Sequence, residues 1–430
     1  MTKGQAKVKA PWTTKVNFLL FSFVLGAIVG LLVWAFLFVM TFFLNLIWID
    51  LPAAVGWKYL PIVICAIGGV VIGAYERICG EYPESMDEVM AEVKRDGGYE
   101  YGHARLAKGT IGALLPLIFG GSLGPEAGLT GMIAGMCTWV GDRMKTAKAE
   151  ARDMAIMGMS ATLGALFNAP VFGFVAPLED SDGSITLTKS QKIVCYVLSI
   201  TGGMLTMMLL KNVFGGGMSI PRFEAFQVGA SDIPWAVLFV AAGFAMGCLY
   251  YAADKLSLRF SNLFGTHKIV RAMVCGIVLG ALGVALPYVM FAGESQAEQV
   301  METWTAMAAW VLLATGLLKA CITPFCIRNG WRGGNIFPLI FSGICVGFGL
   351  ASLTGASPGF AVCLVVASFC GAVMRKPIGV IALLLLCFPT SELLYMVLGA
   401  IIGAKIPLPK PLRPQKTQEG SKAVETGSAN

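Results

Sequence analysis

The chain has 430 residues, of which 56% are hydrophobic and 13% charged, and its mean hydropathy is +0.74. A soluble domain carries about 25% charged residues, so a soluble fold is excluded and the composition is that of a polytopic, all-α membrane protein. The net charge of +7 comes mostly from the flanks of apolar stretches; there is no basic face with aromatic platforms, so no nucleic-acid partner is expected.

In chain order, Lys3, Lys7, Lys9 and Lys15 precede a first apolar run over 16–48. A signal-peptide core has about 7–15 apolar residues, so this run predicts a retained, tilted helix. Further apolar stretches lie at 59–75, 107–120, 123–141, 153–178, 190–214, 234–253, 268–292, 306–326, 335–353, 359–388 and 391–407. A full span takes about 20 residues. Several stretches are shorter, and others are broken by Gly or Pro, which predicts a mixture of full and partial crossings. Polar stretches interrupt at 80–106 and 142–152, and 215–233 and 293–305 read as loops. The last helix stops at Pro407-Leu408-Pro409-Lys410-Pro411, because closely spaced prolines cannot continue it.

The tail carries Lys405, Lys410, Arg413, Lys416 and Lys422 against Glu419 and Glu425. By the positive-inside rule both termini of this multi-pass cell-membrane protein are expected in the cytoplasm. The expected organisation is a cytoplasmic segment at 1–15, a first membrane half at 16–214, a second at 215–407 and a disordered cytoplasmic tail at 408–430. Most cysteines (Cys65, Cys137, Cys195, Cys248, Cys275, Cys345, Cys363, Cys370 and Cys387) sit inside apolar runs and read as small hydrophobes. With no CxxC pair and only His103 and His267, neither a metal nor another cofactor is expected.

Two blocks carry the functional signal. Gly120-Gly121-Ser122-Leu123-Gly124-Pro125-Glu126 and Gly333-Gly334-Asn335-Ile336-Phe337-Pro338 each lie between apolar stretches, where each ends one segment and opens a helix. Helices broken at membrane depth are tolerated only where they face protein or a water-filled cavity. A helix N-terminus carries roughly half a positive charge and unpaired donors, so two aimed at one point make an anion site without a cationic side chain. Each block is followed by a second proline flanked by apolar residues and Gly, Pro170 in the first half and Pro377 in the second. Paired interrupted segments at corresponding positions of two halves point to a transporter's midplane site.

These residues resemble the CLC family of chloride channels and proton-coupled anion exchangers, in a divergent bacterial, inner-membrane branch. Gly121-Ser122-Leu123-Gly124-Pro125 is similar to the family's Gly-(Lys/Arg)-Glu-Gly-Pro element, and Gly334-Asn335-Ile336-Phe337-Pro338 to its Gly-x-Phe-x-Pro element with the phenylalanine shifted by one. Phe167-Asn168-Ala169-Pro170, followed by Glu179-Asp180, resembles a segment ending in paired acidic residues, and Gly80-Glu81-Tyr82-Pro83-Glu84 is a poor copy of Gly-Ser-Gly-Ile-Pro-Glu. The resemblance covers roughly residues 60–405. It implies inverted halves, helix starts converging on an inorganic anion such as chloride, and a homodimer in the bilayer with one pathway per subunit.

The departures bear on mechanism. The family's gating glutamate corresponds to Leu123, which cannot ionise, so a proton-independent channel or uniporter is the first expectation. The alternative is a proton-coupled antiporter using Glu126 and Asp180. Glu126 reads as a helix cap or as a displaced gate; Asp180 and its neighbour Glu179 read as the family's internal proton relay or as a solvated helix end. The coordinating serine corresponds to Cys79 or Gly80, and the coordinating tyrosine falls near Thr390 or Ser391, the latter also a candidate N-cap. Arg328 and Arg332 focus anions into a vestibule or are plain loop charges. Asn335 caps the helix or offers its amide to the ion, and Phe337 packs or lines the pore. The distant alternative is a membrane enzyme or scaffold: Gly-x-Ser-x-Gly occurs at Gly120–Gly124 and Gly355–Gly359, but neither Ser122 nor Ser357 has an evident histidine partner.

Overall fold

The computed structural model describes residues 12–85, 88, 89, 92, 102–143, 148–167, 170, 171, 173, 175, 189–216 and 221–412. Among the described residues every element is helical, and β-type pairing is confined to an isolated antiparallel bridge between Gly124 and Gly334. The first apolar run forms α1 (Trp12–Asn45), which continues through a π turn at Leu46–Asp50 into α2 (Leu51–Val55). Then follow α3 (Leu60–Cys79), α4 (His103–Ile118), α5 (Glu126–Arg143), α6 (Lys148–Leu166) and α7 (Lys189–Phe214). After 214 come α8 (Trp235–Leu263), α9 (Lys268–Ala285), α10 (Glu294–Thr303), α11 (Ala309–Arg328), α12 (Ile336–Thr354), α13 (Pro358–Met374), α14 (Pro377–Leu384) and α15 (Leu393–Lys405).

The mixture of full and partial crossings is present. Seven described stretches, Leu19–Val55, α3, Ile193–Phe214, α8, α9, α11 and α12, are long and apolar enough to cross a bilayer. By contrast α4 has 16 residues, α14 has 8 and α15 has 13, short of the roughly 20 that a full span requires. Lipid gives helices no hydrophobic reason to associate, so small residues that permit close backbone approach hold the bundle. A Cβ on Gly69 or Gly73 of α3 would strike the backbone of α9 at Ala272 or Ile269. At the centre stands α12, with 83% of its apolar window buried against 33% for α8 and α9. Its N-terminus therefore opens inside protein rather than lipid.

One expectation is corrected. The stretch 293–305 is not a loop: α10 forms there because Ala297 and Val300, three apart, bury one face of an otherwise polar segment. The apolar stretch 359–388 is broken ahead of Pro377, where Arg375 adopts a left-handed φ of 57° and donates to the carbonyls of Ala404 and Ile406, both at 2.7 Å. Pro377 then opens α14. Cys65, Cys137, Cys195, Cys275, Cys345, Cys363, Cys370 and Cys387 are buried and in no disulfide, and Cys248 is half-buried. Lys3, Lys7, Lys9, Arg413, Lys416 and Lys422 lie outside the described residues, while Lys405 and Lys410 are exposed at the end of the described chain.

Candidate functional site

Both broken helices end and restart within a few residues. Beyond α4, Gly120 turns at φ 85° and the Gly121 N–H donates back to the carbonyl of Pro116 at 2.8 Å. Beyond α11, Gly330 turns at φ 95°, and Trp331 is fully buried with its indole Nε1 donating to the Ala272 carbonyl at 2.9 Å. The two turns then meet. The Gly124 N–H donates to the Gly334 carbonyl at 2.8 Å, and the Gly334 N–H donates to the Gly124 carbonyl at 2.7 Å.

Glu126 lies across this bridge. It is 2% exposed, and its Oε1 accepts the N–H of Ile336, first residue of α12, at 2.7 Å. The amides of Phe337 and of Glu126 itself also act on the carboxylate. A Cβ at Gly124 or at Gly334 would collide with that carboxylate, which is why both positions are glycine. Its Oε2 has no hydrogen-bond partner. A carboxylate thus rests where a helix N-terminus offers free donors and positive potential. The carboxylate carried by one helix start also engages the first amides of the other.

The surroundings fix both turns. Ser122 is buried and lies 3.1 Å from the Thr323 hydroxyl; Thr323 donates its own proton to the Lys319 carbonyl at 3.0 Å, so Ser122 is the donor of the pair. Leu123 is wholly buried. Asn335 donates to the Tyr250 hydroxyl at 3.0 Å and does not cap α12. Phe337 stacks on Phe167 with centroids 4.7 Å apart, so it is a packing residue at least on that face.

A lysine that the sequence analysis passed over completes the region. Lys319, in the middle of α11, is fully buried. Its Nζ donates to the carbonyls of Met290 and Phe291 at 2.8 Å and approaches those of Tyr288 and Val289 at 3.2 Å, with the Phe341 ring 4.9 Å away. The Phe291 N–H in turn donates to the Gly120 carbonyl at 3.1 Å, so Lys319 braces the first broken helix through the second half of the chain. The available signal was a lone ionisable residue inside an apolar run, which in a membrane segment is functional by default.

Two turns from opposite halves of the sequence thus converge on one carboxylate. A match to the voltage-gated chloride channel family covers residues 67–407. The chain belongs to the CLC family. Relatives within it include YfeO of Escherichia coli O7:K1 (strain IAI39 / ExPEC), 25% identical over 326 residues, 73% of this chain and 74% of the relative. YfeO of Salmonella paratyphi A (strain ATCC 9150 / SARB42) is 23% identical over 343 residues, 78% of this chain and 80% of the relative. Among solved structures, a CLC-type fluoride/proton antiporter superposes with a TM-score of 0.74 at 18% identity, covering 93% of this chain and 97% of the other. A slow cyanobacterial Cl−/H+ antiporter gives 0.75 at 17% identity, covering 93% and 95%. The CLC fold, all-α and membrane-embedded, is thereby established.

In this CLC chain the two blocks meet at Gly124 and Gly334, with Leu123 against Gly333 and Glu126 on the Ile336 N–H; Gly121, Ser122, Pro125, Asn335, Phe337 and Pro338 flank that junction along the chain. Cys79 ends α3 and Gly80 turns at φ 96°; the adjacent Glu81 pairs with Arg332, which ties this turn to the start of α12. Arg332 is therefore paired, and so is Arg328, whose Nε and Nη2 donate to Asp254 at 2.6 and 2.7 Å. Thr390 and Ser391 are exposed on a 3-10 turn; the Ser391 hydroxyl donates to Glu392 at 3.0 Å and caps no helix. Glu179 and Asp180 lie outside the described residues. Ser122, satisfied by Thr323, has the surroundings of a structural hydroxyl rather than a nucleophile.

Proposed function

We propose that this protein carries a small inorganic anion, chloride or a relative of it, across the cell membrane, and that the Glu126 carboxylate is the gate. The observation that carries this reading is the Glu126 Oε1 on the Ile336 N–H, across a bridge that joins both halves. Dehydrating an anion is costly, and amide donors with helix dipoles replace water without holding the ion too tightly to leave. A carboxylate on those donors is a tethered anion, so a permeating anion must displace it. Protonation removes its charge and frees the donors, so flux rises as pH falls. The family resemblance supports a homodimer with one pathway per subunit, and the basic residues flanking the apolar region support cytoplasmic termini.

A second reading, proton-independent conduction, is supported by Leu123, which stands where the family's exchangers carry their acid and is wholly buried. The two separate in liposomes containing the purified protein. An imposed chloride gradient drives proton movement at a fixed ratio if Glu126 couples the two ions, and Glu126→Gln abolishes that movement while leaving anion flux insensitive to pH. Chloride flux with no proton movement and an unchanged pH profile in Glu126→Gln rules out the gate. A panel of chloride, nitrate, fluoride and bicarbonate identifies the preferred anion.

A further inference from the structure

The charges of α8, namely Asp254, Lys255 and Arg259, lie in its second half, after an uncharged stretch at 234–253. The first two are engaged within the protein. Asp254 pairs with Arg328 at 2.6 Å, and Lys255 donates to the carbonyl of Pro411. On α9, across a short loop, Lys268 and Arg271 both reach Glu76. Arg259 differs: it is exposed, and among the described residues it makes no ion pair or hydrogen bond.

Arg259 lines a groove of about 630 Å³ between α8, α9 and α11. Along α8 the wall carries Leu249, Ala252, Leu256 and Leu263, three, four and seven positions apart, so one face of the helix forms it. At about 1.5 Å per residue that wall is about 21 Å long, more than half of a hydrocarbon core of about 30 Å. Leu282 of α9 and Phe325 of α11 line the other sides. The Ser257 hydroxyl is turned back onto the carbonyl of Ala253 at 2.6 Å, so it asks nothing of an occupant. All three helices are long and apolar enough to cross a bilayer, and Leu256 and Leu263 are exposed. The groove therefore opens toward lipid.

A lipid tail is as apolar as leucine, so the groove accepts an acyl chain without choosing among lipids. Arg259 supplies the choice. An arginine near the polar end of a membrane helix extends to the headgroup level, where its paired N–H donors fit a phosphate. A cation left uncompensated there favours a headgroup of net negative charge over a zwitterionic one. We propose that this groove binds an anionic phospholipid, with one acyl chain along the Leu249–Leu263 wall and the phosphate on Arg259. The site is separate from the anion route and does not depend on Glu126 being the gate.

The test is native mass spectrometry of the full chain released from vesicles of equal parts phosphatidylglycerol and phosphatidylcholine. The wild type retains phosphatidylglycerol about fivefold over phosphatidylcholine, the factor expected of one cation at the membrane surface. Arg259→Gln removes that preference, and Ala252→Trp fills the groove and lowers the retained lipid of both kinds. Lys58→Gln, which removes an exposed charge outside the groove, keeps the wild-type ratio. Equal retention of the two lipids by the wild type, or an unchanged ratio in Arg259→Gln, overturns the proposal. So does a ratio in Lys58→Gln that falls as far as in Arg259→Gln, because the preference then belongs to surface charge in general. An Ala252→Trp protein that sheds a second copy of the chain but keeps its lipid gives the groove to that copy and also overturns it. If Ala252→Trp does not fold, the ratios in Arg259→Gln and Lys58→Gln decide alone.

Discussion

The starts of α5 and α12 look alike in sequence, each a glycine turn followed by proline, yet they divide the work. The start of α5 supplies the charge, because Glu126 carries the carboxylate that crosses the bridge. The start of α12 supplies the donor and is held by apolar packing, with Trp331 buried behind it and Phe337 stacked on Phe167. The difference shows that neither helix start is a site alone. The seat of the carboxylate is a property of the pair, and each member is positioned by bonds from the other half of the chain.

The most damaging way to break this pairing is Lys319→Met, which leaves four carbonyl contacts without their cation and unbraces the Gly120 turn. A loss of about 3 kcal/mol is expected, as for a lost hydrogen bond to a charged group, read as a lowered midpoint for unfolding in detergent. Next is Gly334→Ala, whose Cβ meets the Glu126 carboxylate. Overpacking of this kind costs about 1–3 kcal/mol, and anion flux falls with it. Gly102→Ala faces open space and is the matched control, with no change in either measurement. Asn335→Ala removes the bond to Tyr250 and costs about 1 kcal/mol; flux at fixed pH changes less than in Gly334→Ala. Smallest is Arg332→Gln. Its partly exposed pair with Glu81 contributes less than about 1 kcal/mol, so stability holds, and any effect on flux fades as salt screens it.

Much of this was legible in the sequence because backbone geometry demands particular residues. The glycine turns, the prolines behind them and the apolar stretches announced two interrupted helices, and Leu123 and Glu126 could be singled out by position within the first. The destination of the Glu126 side chain was not legible: a carboxylate one residue past Pro125 reads equally as a cap for its own helix, and only packing reveals that it also reaches the first amides of α12. Lys319 was missed because one charge hardly alters an apolar run. The helix α10 was missed because a segment with two buried residues, Ala297 and Val300, looks polar when read linearly. The pairings of Arg328 with Asp254 and of Arg332 with Glu81 join residues far apart in the chain, which charge patterning along the sequence does not encode.

The bond between Glu126 and Ile336 spans 210 positions, and this orders events during synthesis. While the ribosome is still making the region before Ile336, Glu126 has entered the bilayer without the amide that later receives it. The pairing of the two helix starts therefore forms only after α12 is inserted, and a chain interrupted before that point holds the Glu126 carboxylate without its partner amide.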